Sequence, residues 1–121
     1  MEPMTRSARA LVIQADGSYE YRDLPIGYPA FNHSFLPEGS YVQALNCPGR
    51  IMLWFDEEGK FKQLPDNPVA TQLYRELGGP SLMHGDRLVG PVVVTGSGGE
   101  EIADCPDVSA ALQQALEAQS F

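Results

Sequence analysis

The residues of this chain best suited to chemistry are few: His33, His84, Cys47 and Cys105. A cysteine acts as a nucleophile only when a nearby base or cation favours its thiolate. A structural zinc ion asks for four nitrogen or sulfur ligands, normally in closely spaced pairs. Cys47 and Cys105 lie far apart, each is followed by proline, and neither belongs to a C-x-x-C pair. No metal and no cofactor are expected. In His84-Gly85-Asp86-Arg87, His84 with Asp86 could serve as an oriented base. No nucleophile is assigned to that pair, and a turn in which Asp86 bonds neighbouring amides is the preferred reading.

Two further strings resemble ligand loops and fail on detail. Gly96-Ser97-Gly98-Gly99 follows a strand as a phosphate-binding turn does, but Glu100 and Glu101 come next, and no Gly-Lys-Ser/Thr follows. Acidic side chains repel phosphate, so a flexible connection is expected. Asp56-Glu57-Glu58-Gly59 lacks the alternate-position oxygens of a calcium loop, and the tip of a hairpin fits it better. Aromatic residues offer a different chemistry, that of contact. Leu24 to Gly39 holds Pro25, Pro29 and Pro37 with Tyr28, Phe31 and Phe35. The aromatics want burial, so it reads as an ordered loop packed on the domain with a short helical turn around Phe31 to Leu36, and a partner would be met through those of its aromatics left exposed. Tyr28, Phe31, Phe35, Trp54, His84 and Asp86 are the candidate binding residues.

The elements that must position them follow from periodicity. Arg9 to Gln14 is a continuous apolar run suited to the sheet interior, and Asp16-Gly17 turns it into the alternating Tyr19 to Arg22. Tyr41 to Leu45 and Ile51 to Phe55 form a second hairpin, with Phe61 to Leu64 returning as a shorter strand. Asn67-Pro68 is a helix start, and Val69, Leu73 and Leu77 make its apolar stripe. Gly78-Gly79-Pro80 ends it. Arg87 to Val94 reads as a buried strand interrupted at Gly90-Pro91. Asp104-Cys105-Pro106-Asp107 starts a second helix, which places Val108, Ala111, Leu112, Ala115 and Leu116 on one face. No internal repeat is present. The expectation is an α+β domain over residues 8–121, a mostly antiparallel sheet of about five to six strands with two helices packed on it. Residues 1–7 read as a flexible N-terminus.

A chain of 121 residues with 43% hydrophobic and 20% charged residues is ample for one core. Its net charge of -8 comes from 16 acids against 8 bases. Scarce Lys and Arg make it a poor binder of phosphate backbones, so no direct nucleic-acid binding is expected. Acidity could instead attract a basic partner or imitate DNA. No apolar run reaches the roughly 20 residues that span a bilayer, and the first residues lack a secretory signal, so a cytoplasmic protein is expected. An edge strand near Pro91, or Phe121, could bury against a second copy.

Three strings in this order, Leu53 to Lys60, Leu64 to Thr71 and Gly85 to Val94, match D-E-x-G-K/L, L-P-x-N-x-x-A-T and G-D-x-I/L/V-x-G. In them the chain resembles an uncharacterised family of small bacterial and phage proteins, the DUF3846-like domains of unknown function. The resemblance covers roughly residues 8 to 96 and leaves the C-terminal helix outside. It implies a mobile-element setting and carries no activity or site across. The expected function is therefore a non-catalytic accessory domain that binds a host or defence protein, through its aromatic loop or its acidic face. An acidic DNA mimic, or a small ligand-binding protein or enzyme with a His84 and Asp86 pocket, are the alternatives.

Overall fold

A continuous apolar strand needs a partner on both edges, and Ser7–Ile13 (β1) has two. In the computed structural model, which describes residues 6–27, 30–37, 39–79, 86–98 and 101–119, β1 pairs antiparallel with Tyr19–Pro25 (β2) and with Val92–Gly98 (β5). The β1–β2 turn is closed by Asp16, whose carboxylate accepts from the Ser18 amide at 2.9 Å and the Ser18 hydroxyl at 2.6 Å. Val42–Cys47 (β3) and Ile51–Asp56 (β4) form the second hairpin, and β4 lies against the other edge of β5. A short strand, Glu101–Ala103 (β6), pairs with the end of β5. The order is β2-β1-β5-β4-β3, six strands in one antiparallel sheet. With helices Ala30–His33 (α1), Pro68–Glu76 (α2) and Ser109–Glu117 (α3), the chain is an α+β domain.

Side chains alternate across a strand, so a central sheet builds two cores. On one face Leu11, Ile13, Leu53, Val92 and Val94 meet Val69, Leu73 and Tyr74 of α2 and Leu112 and Ala115 of α3. Each Val, Leu or Ile side chain among them contributes about 1.5–3 kcal/mol when fully buried. On the other face Ala10, Val12, Leu24 and Val93 are covered by Phe31, with Phe35, Trp54 and Ile102 at the border. The helix layer is fixed at Asn67, which is fully buried. Its side-chain oxygen accepts from the Ala70 amide at 3.1 Å, and its nitrogen donates to the carbonyls of Ile13 (3.1 Å) and Gly90 (2.8 Å). Asp107 starts α3 by accepting from the amide and hydroxyl of Ser109.

Four expectations are corrected. Phe61 to Leu64 is a succession of turns, because β4 already has β3 and β5 on its two edges and offers no edge to a returning strand. The strand expected from Arg87 starts only at Val92. Before it, Val89 makes an isolated bridge to Asp66, and Gly90, at a left-handed φ of 71°, turns the chain where other residues are strained. That strand is central, so Pro91 begins no sheet edge. The glycine-rich segment is no loose connection: Gly96 to Gly98 is strand, and Gly96 pairs with Ala103. Phe121 lies outside the described residues.

Candidate functional site

The exposed part of the second face holds a cleft of about 830 Å³. Its floor is Trp54 of β4 and Phe31 of α1, packed edge to face with ring centres 5.1 Å apart at 71°. Phe35 meets Phe31 from behind, at 5.3 Å and 70°. The Trp54 indole N–H donates to the hydroxyl of Thr95, itself fully buried, at 2.9 Å. That bond satisfies the only polar group of the ring and leaves its carbon surface to the cleft. Ile26, Val42 and Ile102 supply aliphatic walls. At one end Arg6 and Glu101 form a two-pronged ion pair of 2.7 and 2.8 Å, and at the other stands Tyr41, 58% exposed. The lining takes residues from β6, β4 and β3, and with β5 between β6 and β4 these span three strand intervals. At about 4.8 Å per strand interval that is about 14 Å, the reach of about four extended residues.

The structure brings Phe31, Phe35 and Trp54 together and separates them from Asp86. The loop does not present Phe31 to solvent: it is 3% exposed and belongs to the core. Nothing local distinguishes Phe31 from an exposed aromatic, since the face that needs covering is made by β1 and β5. Tyr28 and His84 lie outside the described residues. Asp86 lines a different, smaller cleft of about 420 Å³ with Lys60, Arg87 and Phe55. Its carboxylate accepts from the Lys60 ammonium and from the Arg87 amide, which hold it below the usual carboxylate range. Arg87 in turn donates to Asp66 at 2.6 Å. Cys47 does not line that cleft; it sits in the helix-side core. Sequence reasoning missed Val42, Ile102, Arg6 and Glu101 as lining residues. The alternation of Tyr41 to Leu45 carried a signal for the first, while the ion pair joins residues 95 positions apart and has no local signature.

Cys47 and Cys105 are both free, and burial pushes each thiol from an ordinary 9.0 up to about 11. Such a thiol is a poor nucleophile, with about one molecule in a thousand ionised at pH 8. Ellman's reagent is expected to label the native protein slowly at pH 8 and both thiols rapidly after denaturation. Because the folded thiols keep their protons longer than the unfolded ones, stability is complete below pH 9 and declines as pH rises through about 11. A pH series of denaturant midpoints reads it. Among the described residues no group of three or more His, Cys, Asp or Glu is placed to hold a metal ion, and no helix is long and apolar enough to cross a membrane.

The fold and the cleft define an α+β domain with an aromatic-floored groove on the sheet face opposite α2 and α3. The chain belongs to the family described as "Domain of unknown function (DUF3846)", whose model matches residues 38–117. The match takes in α3, which the resemblance had left outside, and begins after β1 and β2. No curated protein and no solved structure matches the chain.

Proposed function

We propose that this chain is a non-catalytic, cytoplasmic accessory domain, of phage or other mobile-element provenance, that captures an extended segment of a partner protein in the Trp54 cleft. The observation that carries the reading is the cleft itself: an apolar floor of Trp54 and Phe31, about four residues long, with the only charges of its described lining paired to each other. Aromatic floors of this kind hold apolar side chains well. Arg6 and Glu101 are committed to one another, and among the described residues the lining includes neither a cysteine nor a histidine, which favours binding over catalysis. The scarcity of Lys and Arg, 8 in the chain, argues for a protein rather than a nucleic-acid partner. The mobile-element setting rests on the resemblance in the three sequence strings.

Trp54 is the only tryptophan, so occupancy of the cleft has its own reporter. The tagged protein is used to capture partners from native lysate at moderate salt, and the captured protein is then titrated against a sample carrying 5-fluorotryptophan. The fluorine resonance of Trp54 is expected to shift on saturation. Val42→Arg, which places a charge on the cleft wall, is expected to weaken capture at least tenfold with an unchanged melting temperature. A resonance that stays put at saturation removes the cleft reading. Capture that collapses steeply with added salt and spares Val42→Arg selects the DNA mimic instead.

A further inference from the structure

The most exposed large apolar side chain among the described residues lies outside the cleft, at Phe61, which is 88% exposed. It stands on a turn that is unusually well pinned. Gly59 donates to the Asp56 carbonyl at 3.1 Å, Lys62 to Glu58 at 2.9 Å, Gln63 to Lys60 at 3.0 Å and Leu64 to Gly59 at 3.0 Å. Two lysines flank Phe61 and both are turned back onto the domain. Lys60 pairs with Asp86, and Lys62 reaches Asp56 at 2.7 Å and the Ser40 hydroxyl at 3.2 Å. The Asp56 side chain is 1% exposed, and its other oxygen accepts from the Glu58 amide at 2.8 Å, so this anchor is internal. A side chain at Gly59 would run into Val89, which ties the turn to the strand-flanking segment as well. Gln63 holds a left-handed φ of 59°, a conformation of some cost to a non-glycine residue.

A phenyl ring left in water on a pinned turn adds no burial energy to the fold, so its apolar surface stays available to a partner. A protein socket that receives it meets an anchor with little conformational freedom left to lose. The charges say which kind. With Lys60 and Lys62 neutralised by Asp86 and Asp56, the exposed carboxylates of Glu57 and Glu58 have no ion-pair partner among the described residues. The tip is therefore an apolar knob on an acidic base, and its complement is an apolar pocket rimmed by Lys or Arg.

From this we infer that Phe61 is the anchor of a protein interface, inserting into an apolar, basic-rimmed socket of a partner protein. The inference stands apart from the Trp54 cleft and holds whether or not that cleft is used. The test replaces Phe61 in the full chain by the photo-crosslinker benzoylphenylalanine, irradiates the source cells, and maps the adduct. A single partner is expected, crosslinked within an apolar pocket with Lys or Arg at its edge. With that partner purified, Phe61→Ser is expected to weaken binding at least about 30-fold, the loss typical of a buried aromatic anchor. Because the ring is exposed, its melting temperature stays at the wild-type value. Glu57→Lys with Glu58→Lys is expected to slow association and flatten its salt dependence. Adducts that are absent, spread over many proteins, confined to lipid or confined to a second copy of this chain overturn the inference, as does a Phe61→Ser protein that binds normally. Val42→Arg in the same titration separates the two readings: if it binds normally while Phe61→Ser does not, the cleft fails and the knob stands.

Discussion

Asn67→Ala is expected to destabilise the protein by about 3–5 kcal/mol, read as a fall of roughly 10–20 °C in melting temperature. The substitution removes an N-cap, an effect of about 1 kcal/mol by itself. It also withdraws both donors from the carbonyls of Ile13 and Gly90 and the acceptor from the Ala70 amide, all at a fully buried position. Buried polar groups stripped of partners cost about 1–3 kcal/mol each. Asn67→Asp separates the roles. Aspartate caps helices as well as asparagine does, so a position that only caps would tolerate it. Here its carboxylate would face two carbonyl oxygens, and a loss at least as large as that of alanine is expected at neutral pH. Part of it should return on acidification, because the buried carboxyl takes up a proton more readily than in the unfolded chain. If Asn67→Asp melts like the wild type, the amide is no clamp between β1, α2 and Gly90.

The second large effect is at Phe31. Phe31→Ser is expected to cost about 3–5 kcal/mol, the range for truncating a buried aromatic. It removes the ring that covers Ala10, Val12 and Val93 and that packs edge to face against both Phe35 and Trp54. The described cover over this face is a four-residue helix and the turn after it, in which Phe31 is the most buried aromatic and Leu36 and Asn32 are the other buried side chains. Trp54 emission should move to longer wavelength in the folded variant, as water reaches the indole face that Phe31 now shields. Unchanged emission with an unchanged melting temperature would mean that Phe31 contributes nothing to the second core. The same substitution is a poor probe of partner binding, for it damages the floor of the cleft together with the fold.

What could be read from the residues was local. Asp16-Gly17 between an apolar run and an alternating one specifies a hairpin, and Asn67-Pro68 with Gly78 brackets a helix, because turn and cap chemistry act over a few positions. That Asn67 also binds Ile13 was illegible, since the two carbonyls it serves come from segments brought to it only by the finished sheet. Phe61 to Leu64 has the alternation of a strand and fails for a reason outside itself, the lack of a free edge on β4. The candidate site divides in the same way. Phe31 and Trp54 were singled out by type, but which of them faces solvent depends on the side of the sheet that α2 and α3 leave uncovered. Arg6 and Glu101 needed the register of β6 on β5, and no pattern within either segment announces it.

The place of β1 in the sheet also governs how the molecule can be made. Its buried residues Leu11, Val12 and Ile13 have β2 on one side from the moment the hairpin closes, but their other neighbours, Val92 to Val94, are synthesised much later. Until then the growing chain carries an uncovered apolar edge, and the sheet cannot be completed by local zipping. Pairings that join distant segments close slowly, in milliseconds to seconds rather than microseconds, and leave such edges open to unwanted partners meanwhile. The nascent β1–β2 hairpin thus has an apolar edge that needs sheltering on the ribosome, and the arrival of β5 ends that need.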